Sequence, residues 1–375
     1  MDNKTLSLNQ SICAVVLFNF GSSVIMGIST KVAQDAWISI IIATVLTIPL
    51  FMMYGRILNN FPGKNVYEIS ETVFGKVGGK IVSAFMVSYC IFLASLVMRN
   101  YSEFTQIGTL VETPQEPILI LLVITTVYLA RSGIKTVGKW SVLMLFVVIS
   151  VVVLILLVSI NQMELSSMLP IFEHSFSDIF WTAVRIISFP YAETVVFLCL
   201  GCCFAANESR TKIFLRSLFF GFFIFMNISI RNLTLLGQKM IELSYFPSFV
   251  TARIIEVGDF LSRIEGSIST NFLLAGIVKI SICLLGAAKG LKEILNLPDF
   301  KPMVMPAALT AFALSLTNYG STMEMFEFVA YYAYYALPFQ LIIPLALLIF
   351  GEVYKRKHSP KKASAPKAIP RPAEM

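Results

Sequence analysis

Apolar stretches of about twenty residues recur along almost the whole chain, separated by short charged or Gly/Pro-containing connections. A bilayer core of roughly 30 Å needs about 20 such residues per helix, because no unpaired backbone group can face hydrocarbon. The pattern predicts about ten transmembrane helices: residues 8–30, 36–58, 80–106, 114–130 and 139–160, then 179–203, 212–237, 268–290, 302–317 and 331–350. With 57% hydrophobic and only 14% charged residues among 375, and a mean hydropathy of +0.78, most of the chain must sit in lipid. The expected fold is therefore an all-α integral membrane protein. The first apolar run carries Asn19, Ser22 and Ser23 in its middle and has no clear small-x-small cleavage site, so it reads as a retained helix.

The two sets of five share a rhythm. In each, the second helix is followed by a charged amphipathic segment, 63–78 in one and 248–265 in the other, and the fourth helix is short. That predicts a 5+5 repeat, about 8–160 and 179–350, and an odd number of helices per copy inverts the second copy in the membrane. With the N-terminus inside, only Lys31, Lys239, Arg253 and Arg263 fall outside and Arg99, Arg185, Arg231 and Lys279 within helices; all the rest of the 29 lysines and arginines face the cytoplasm. This bias places both termini in the cytoplasm of a multi-pass cell-membrane protein. The permease-like domain is 1–353, and 354–375 reads as a basic, disordered tail drawn to anionic lipid.

Several function classes drop out. The net charge of +7 is concentrated in that tail, which points to the bilayer as partner and away from nucleic acid. Cys13, Cys90, Cys199, Cys202, Cys203 and Cys283 all lie in apolar runs, so no disulfide framework or zinc site is expected. Only His174 and His358 are present, which leaves histidine-based catalysis and metal ligation without residues. No enzyme activity, metal or cofactor is expected.

Broken helices are the usual pointer to a transporter site, since half-helix ends and freed backbone groups can hold a ligand at mid-membrane. The first helix has Gly21, Ser22, Ser23 and Gly27 within 19–27; the first helix of the second half has Pro190, Tyr191 and Glu193. Gly21 and Gly27 could instead be close-packing positions, and Pro190 a simple kink. A carboxylate such as Glu193 is costly in a bilayer, by about 2.5 kcal/mol or more, and should face a cavity or a cation. Arg185 is one candidate partner. Lys279 falls in the middle of the eighth helix under the same logic, with a structural pair to Glu193 as the alternative. Ser88, Tyr89, Asn271 and Ser281 could complete a polar pocket or make ordinary interhelical bonds. Arg99 and Arg231 lie near helix ends and are expected to snorkel, and Tyr331, Tyr332, Tyr334 and Tyr335 read as an interfacial belt.

Several short motifs are familiar in their order and spacing. They are Leu6-Ser7-Leu8-Asn9-Gln10, Phe61-Pro62-Gly63-Lys64 with Phe74-Gly75-Lys76, and Phe189-Pro190-Tyr191-Ala192-Glu193. Further on come Phe246-Pro247-Ser248-Phe249, Arg253, Gly258-Asp259-Phe260 and Arg263-Ile264-Glu265. From about Leu6 to Glu352 the chain resembles the B subunit of the nutrient germinant receptors of bacterial endospores. The resemblance implies a permease-like subunit of the spore inner membrane, related to the amino acid–polyamine–organocation superfamily. It also implies an A subunit and a lipoprotein C subunit as partners, and a small nutrient, such as an amino acid, as ligand. By the same resemblance Gly21, Ser22 and Ser23 match an unwound first helix, and Pro190, Tyr191 and Glu193 a broken sixth. Cys202-Cys203 departs from the more proline-containing exit expected there. In that superfamily's fold the eighth helix faces the first, often across a sodium ion, so the resemblance implies Lys279 as a cation substitute. The architecture also hosts secondary transporters and ion- or water-conducting subunits, and these readings stay open.

Overall fold

Hydrocarbon forces the backbone to satisfy itself, and the computed structural model is correspondingly helical throughout. It describes residues 5–27, 30–108, 112–205, 208–255 and 265–358. Among these there is no β-strand, only an isolated bridge between Leu6 and Phe204. The helices of the first half are α1 (Leu8–Met26), α2 (Ala36–Asn60), α3 (Val66–Gly108), α4 (Gln115–Arg131) and α5 (Ile134–Ser159). The second half has α6 (Phe176–Ser188), a tight 3₁₀ segment Tyr191–Cys203, α7 (Arg210–Leu243), α8 (Pro247–Ile254) and α9 (Glu265–Leu295). It closes with α10 (Lys301–Thr317), α11 (Thr322–Leu337), a π-helical turn Pro338–Ile342 and α12 (Ile343–His358).

Local chemistry explains the boundaries. The Leu6-to-Gln10 motif is a capping box: Ser7 Oγ accepts from the Gln10 N–H, and the Gln10 side chain accepts from the Ser7 N–H. Two of the orphan donors at the start of α1 are thereby satisfied. Gly75 (φ +74°) bends α3 and separates the amphipathic stretch 66–74 from the part that continues across the bundle. In the second half α8 follows α7 in the corresponding place, and 256–264 lie outside the described residues.

Among the described residues seven helical stretches are long and apolar enough to cross a membrane: Lys31–Asn60, Val66–Gly108, Ile134–Gln162, Phe176–Cys203, Arg210–Leu243, Gly266–Leu295 and Thr322–His358. The shorter α1, α4 and α10 have 19, 17 and 17 residues and pack in the same bundle. The expected 331–350 helix is longer than its hydropathy indicated, running through a π turn, and its last turn takes in Tyr354–His358 of the basic segment.

Corresponding helices of the two halves pack against each other: α2 on α7, α3 on α9, α4 on α10, and α1 on Tyr191–Cys203. Such self-matching contacts are what a two-fold-related repeat produces. Polarity is inside out. Leu121, Phe146 and Tyr128 stand exposed around the bundle, whereas Asn19, Ser22, Glu193 and Lys279 are buried in its middle. The apolar rim suits lipid, and the buried polar centre makes the middle of the bundle the candidate site.

Candidate functional site

The sixth-helix break falls where the sequence placed it. Helix α6 ends at Ser188, Phe189 is extended, and the chain resumes in the 3₁₀ segment after Pro190, which has no N–H to continue the ladder. The Ser188 carbonyl that this break frees accepts from Gln340 Nε2 at 2.9 Å, while Ser188 Oγ donates to Gln340 Oε1 at 3.1 Å. Gln340 sits on the π turn, a distortion frequent at functional sites. The first-helix interruption falls at the end of its expected window, at Gly27 (φ +70°); 28–29 lie outside the described residues, and a 3₁₀ stretch Thr30–Asp35 follows. Gly21, Ser22 and Ser23 are therefore helical rather than unwound. Ser23 Oγ donates to the Asn19 carbonyl at 2.7 Å, a back-bond to the preceding turn of its own helix.

Glu193 and Lys279 meet at the centre. Lys279 Nζ lies 2.5 Å from Glu193 Oε2, and both side chains are buried. The partner of Glu193 is thus Lys279 and not Arg185. The rings of Phe18 and Phe189 stand 5.1 and 5.4 Å from the same ammonium. Gly21 is the position that admits the lysine stem, since a Cβ there would come within 2.6 Å of Lys279 Cδ. Close packing, one of the two readings of Gly21, has a specific purpose here: it lets a buried cation reach its carboxylate.

Beside this pair is a cavity of about 30 Å³ lined by Ser22 and Met26 of α1, Leu93, Val97 and Asn100 of α3, Phe189 and Glu193 at the break, and Phe328 and Tyr332 of α11. That volume holds about one water molecule. Ser22 Oγ and both polar atoms of Asn19, one turn earlier on α1, are buried and have no hydrogen-bond partner among the described residues. Tyr89 does not itself line the cavity but orders its wall: its hydroxyl lies 3.1 Å from that of Tyr332 and accepts from Gln340 Nε2 at 3.0 Å.

Other expected residues point elsewhere. The Tyr191 hydroxyl lies 3.1 Å from Thr44 Oγ1 on α2. Ser281 Oγ donates to the Ile277 carbonyl at 2.7 Å and towards Thr126 of α4, and Asn271 Nδ2 donates to Val148 of α5. Ser88 Oγ donates to the Phe85 carbonyl of its own helix. Arg99 does not snorkel: it is buried, pairs with Glu103 at 2.8 Å and donates to the Tyr319 carbonyl at 3.0 Å. Arg231 is also buried, on Asn232 Oδ1 at 2.8 Å. Both side chains turn into the bundle, where carboxylate, amide and carbonyl oxygens take the place of water. Within the expected aromatic belt, Tyr331 and Tyr334 are 67% and 64% exposed, but Tyr332 is buried in the cavity wall. The spacing of Phe328 and Tyr332, one helical turn apart, was the available signal for an inward aromatic face.

The family model of the spore germination proteins matches residues 5–322. The chain belongs to the spore germination protein family. Among curated relatives, spore germination protein KB of Bacillus subtilis (strain 168) is 22% identical over 369 residues, covering 96% of this chain and 98% of its own length. Spore germination protein B2 of the same organism is 19% identical over 335 residues, covering 86% and 88%. Among solved structures, Mhp1, a nucleobase-cation-symport-1 family transporter in a closed conformation with bromovinylhydantoin bound, superposes with a TM-score of 0.66. That match is 12% identical and covers 91% of this chain and 78% of the other. This spore germination family member therefore has the fold of a transporter, and the buried pair with its cavity lies within that fold.

Proposed function

We propose that the chain is the membrane subunit of a spore germinant receptor that binds a small nutrient, an amino acid, in the cavity beside Glu193. Occupancy is then passed to A and C partner subunits in the spore inner membrane, with both termini of this chain in the cytoplasm. The observation that carries this reading is that Glu193 lines a cavity while its charge is held in place by Lys279. A ligand ammonium can share the carboxylate and lie against the faces of Phe328 and Tyr332, and the N-terminal end of Tyr191–Cys203 suits its carboxylate. The Ser22 hydroxyl, which has no partner among the described residues, supplies a further polar contact.

At about 30 Å³ the cavity is too small for an amino acid, so binding has to move α11 or the 189–193 break away from α1 and α3. This movement is the signal in a receptor and one step of alternating access in a transporter. Uptake of labelled amino acids into vesicles separates the two. The receptor reading expects saturable binding without accumulation, and a germination response that disappears when the A and C subunits are removed. Accumulation in vesicles carrying this chain alone would establish a secondary transporter, and an ion or water flux without accumulation a conducting subunit.

A further inference from the structure

The Tyr191–Cys203 segment ends in two adjacent cysteines that the nutrient cavity does not use. Their sulfurs lie 3.8 Å apart, and Lys289 of α9 places its Nζ 3.2 Å from Cys202 Sγ and 2.8 Å from Cys203 Sγ. Among the described residues no carboxylate lies within ion-pair distance of that ammonium. A half-buried ammonium facing two sulfurs is stabilised when one of them is a thiolate, and an adjacent lysine is what stabilises a thiolate. Cys203 is 3% exposed, whereas Cys202 is only half-buried and is the more open of the two residues.

We propose that Cys202 is a nucleophilic thiol, held as its thiolate by Lys289, and a site of covalent modification by small disulfides and electrophiles. With a small disulfide, the Cys202 sulfur attacks one sulfur of the reagent. A new S–S bond forms as the old one breaks, and the departing thiolate takes a proton from water. The cysteine is oxidised and the released half of the reagent is reduced. With an alkyl iodide, an S–C bond forms, the C–I bond breaks and iodide leaves. The backbone on either side of Cys202 is held tightly. The neighbouring Gly201 packs so closely on the 61–65 turn that a Cβ would lie 2.6 Å from the Lys64 carbonyl oxygen, and the Cys203 carbonyl accepts from the Leu6 N–H at 2.8 Å.

The test is the rate of iodoacetamide labelling at each cysteine of the full chain in lipid nanodiscs, read by peptide mass spectrometry. Cys13, also half-buried, is the internal reference. Cys202 is expected to react about tenfold faster than Cys13 or more, Lys289→Met to bring it down to the Cys13 rate, and Lys289→Arg to keep it fast. Equal rates at Cys202 and Cys13 in the natural chain, a comparison that needs no variant to fold, would overturn the assignment. So would an unchanged Cys202 rate in a folded Lys289→Met protein.

Discussion

Lys279 Nζ and Glu193 Oε2 face each other at 2.5 Å in the middle of the bundle, with neither side chain open to solvent. Removing one partner leaves a buried charge uncompensated, which costs about 3–5 kcal/mol, whereas removing both is far cheaper. Glu193→Gln and Lys279→Met are each expected to lower stability by about that amount, and the double variant to recover most of it. Denaturation midpoints of the three proteins in one detergent measure this. Simple addition of the two losses would show that the charges do not depend on each other.

Gly21 and Gly201 predict a graded result. A Cβ on Gly21 meets the flexible stem of Lys279 at 2.6 Å, whereas one on Gly201 meets Leu58 Cδ2 at 2.4 Å and the Lys64 carbonyl oxygen at 2.6 Å. Backbone yields less readily than a lysine side chain. Gly21→Ala is expected to cost about 1 kcal/mol and Gly201→Ala about 3 kcal/mol, at the two ends of the range for overpacking. The same unfolding measurement ranks them, and a reversed order would contradict the packing described.

Arg99 anchors a second buried network. With Glu103 at 2.8 Å and the Tyr319 carbonyl at 3.0 Å, Arg99→Met leaves a buried carboxylate with its guanidinium gone. A loss of about 3–5 kcal/mol is expected, partly restored by Glu103→Gln in the same chain. A near-neutral Arg99→Met would instead fit an arginine that reaches water.

The fold was readable because its cause is composition: a helix in lipid needs a long apolar run, and such runs are visible one by one. The break at Pro190 was equally visible, because proline removes a donor wherever it stands. Which side chains converge was much less so. Glu193 and Lys279 stood out by charge, but their pairing depends on Gly21 clearing a path, a tertiary fact. Ser281 and Tyr191 have the right chemistry on the wrong face, and Tyr332 was hidden in a run of tyrosines that looked interfacial. Hydroxyls on neighbouring faces of one helix differ by a rotation that composition does not record. Arg99 differs from expectation for a related reason, since nearness to a helix end does not say which way the side chain turns.

Topology has its own test. Single cysteines at Lys135 and Lys301, in a chain otherwise free of cysteine, are expected to react with a membrane-impermeant maleimide only from the cytoplasmic side, as the basic-residue bias requires. Labelling of either from the outside would reverse the proposed orientation.

In the proposed nutrient site at Glu193 a lysine, and not sodium, supplies the positive charge. The most direct test is equilibrium binding of labelled amino acids, in sodium-free buffer, to this chain assembled with its A and C subunits. The natural chain and Ser22→Leu are compared, because leucine fills the cavity without removing an existing hydrogen bond. Saturable binding of at least one amino acid is expected without sodium, weakened about tenfold or more, some 1.4 kcal/mol, in a Ser22→Leu protein that still assembles. A strict sodium requirement, or equal affinity in the two proteins, would contradict the proposed site.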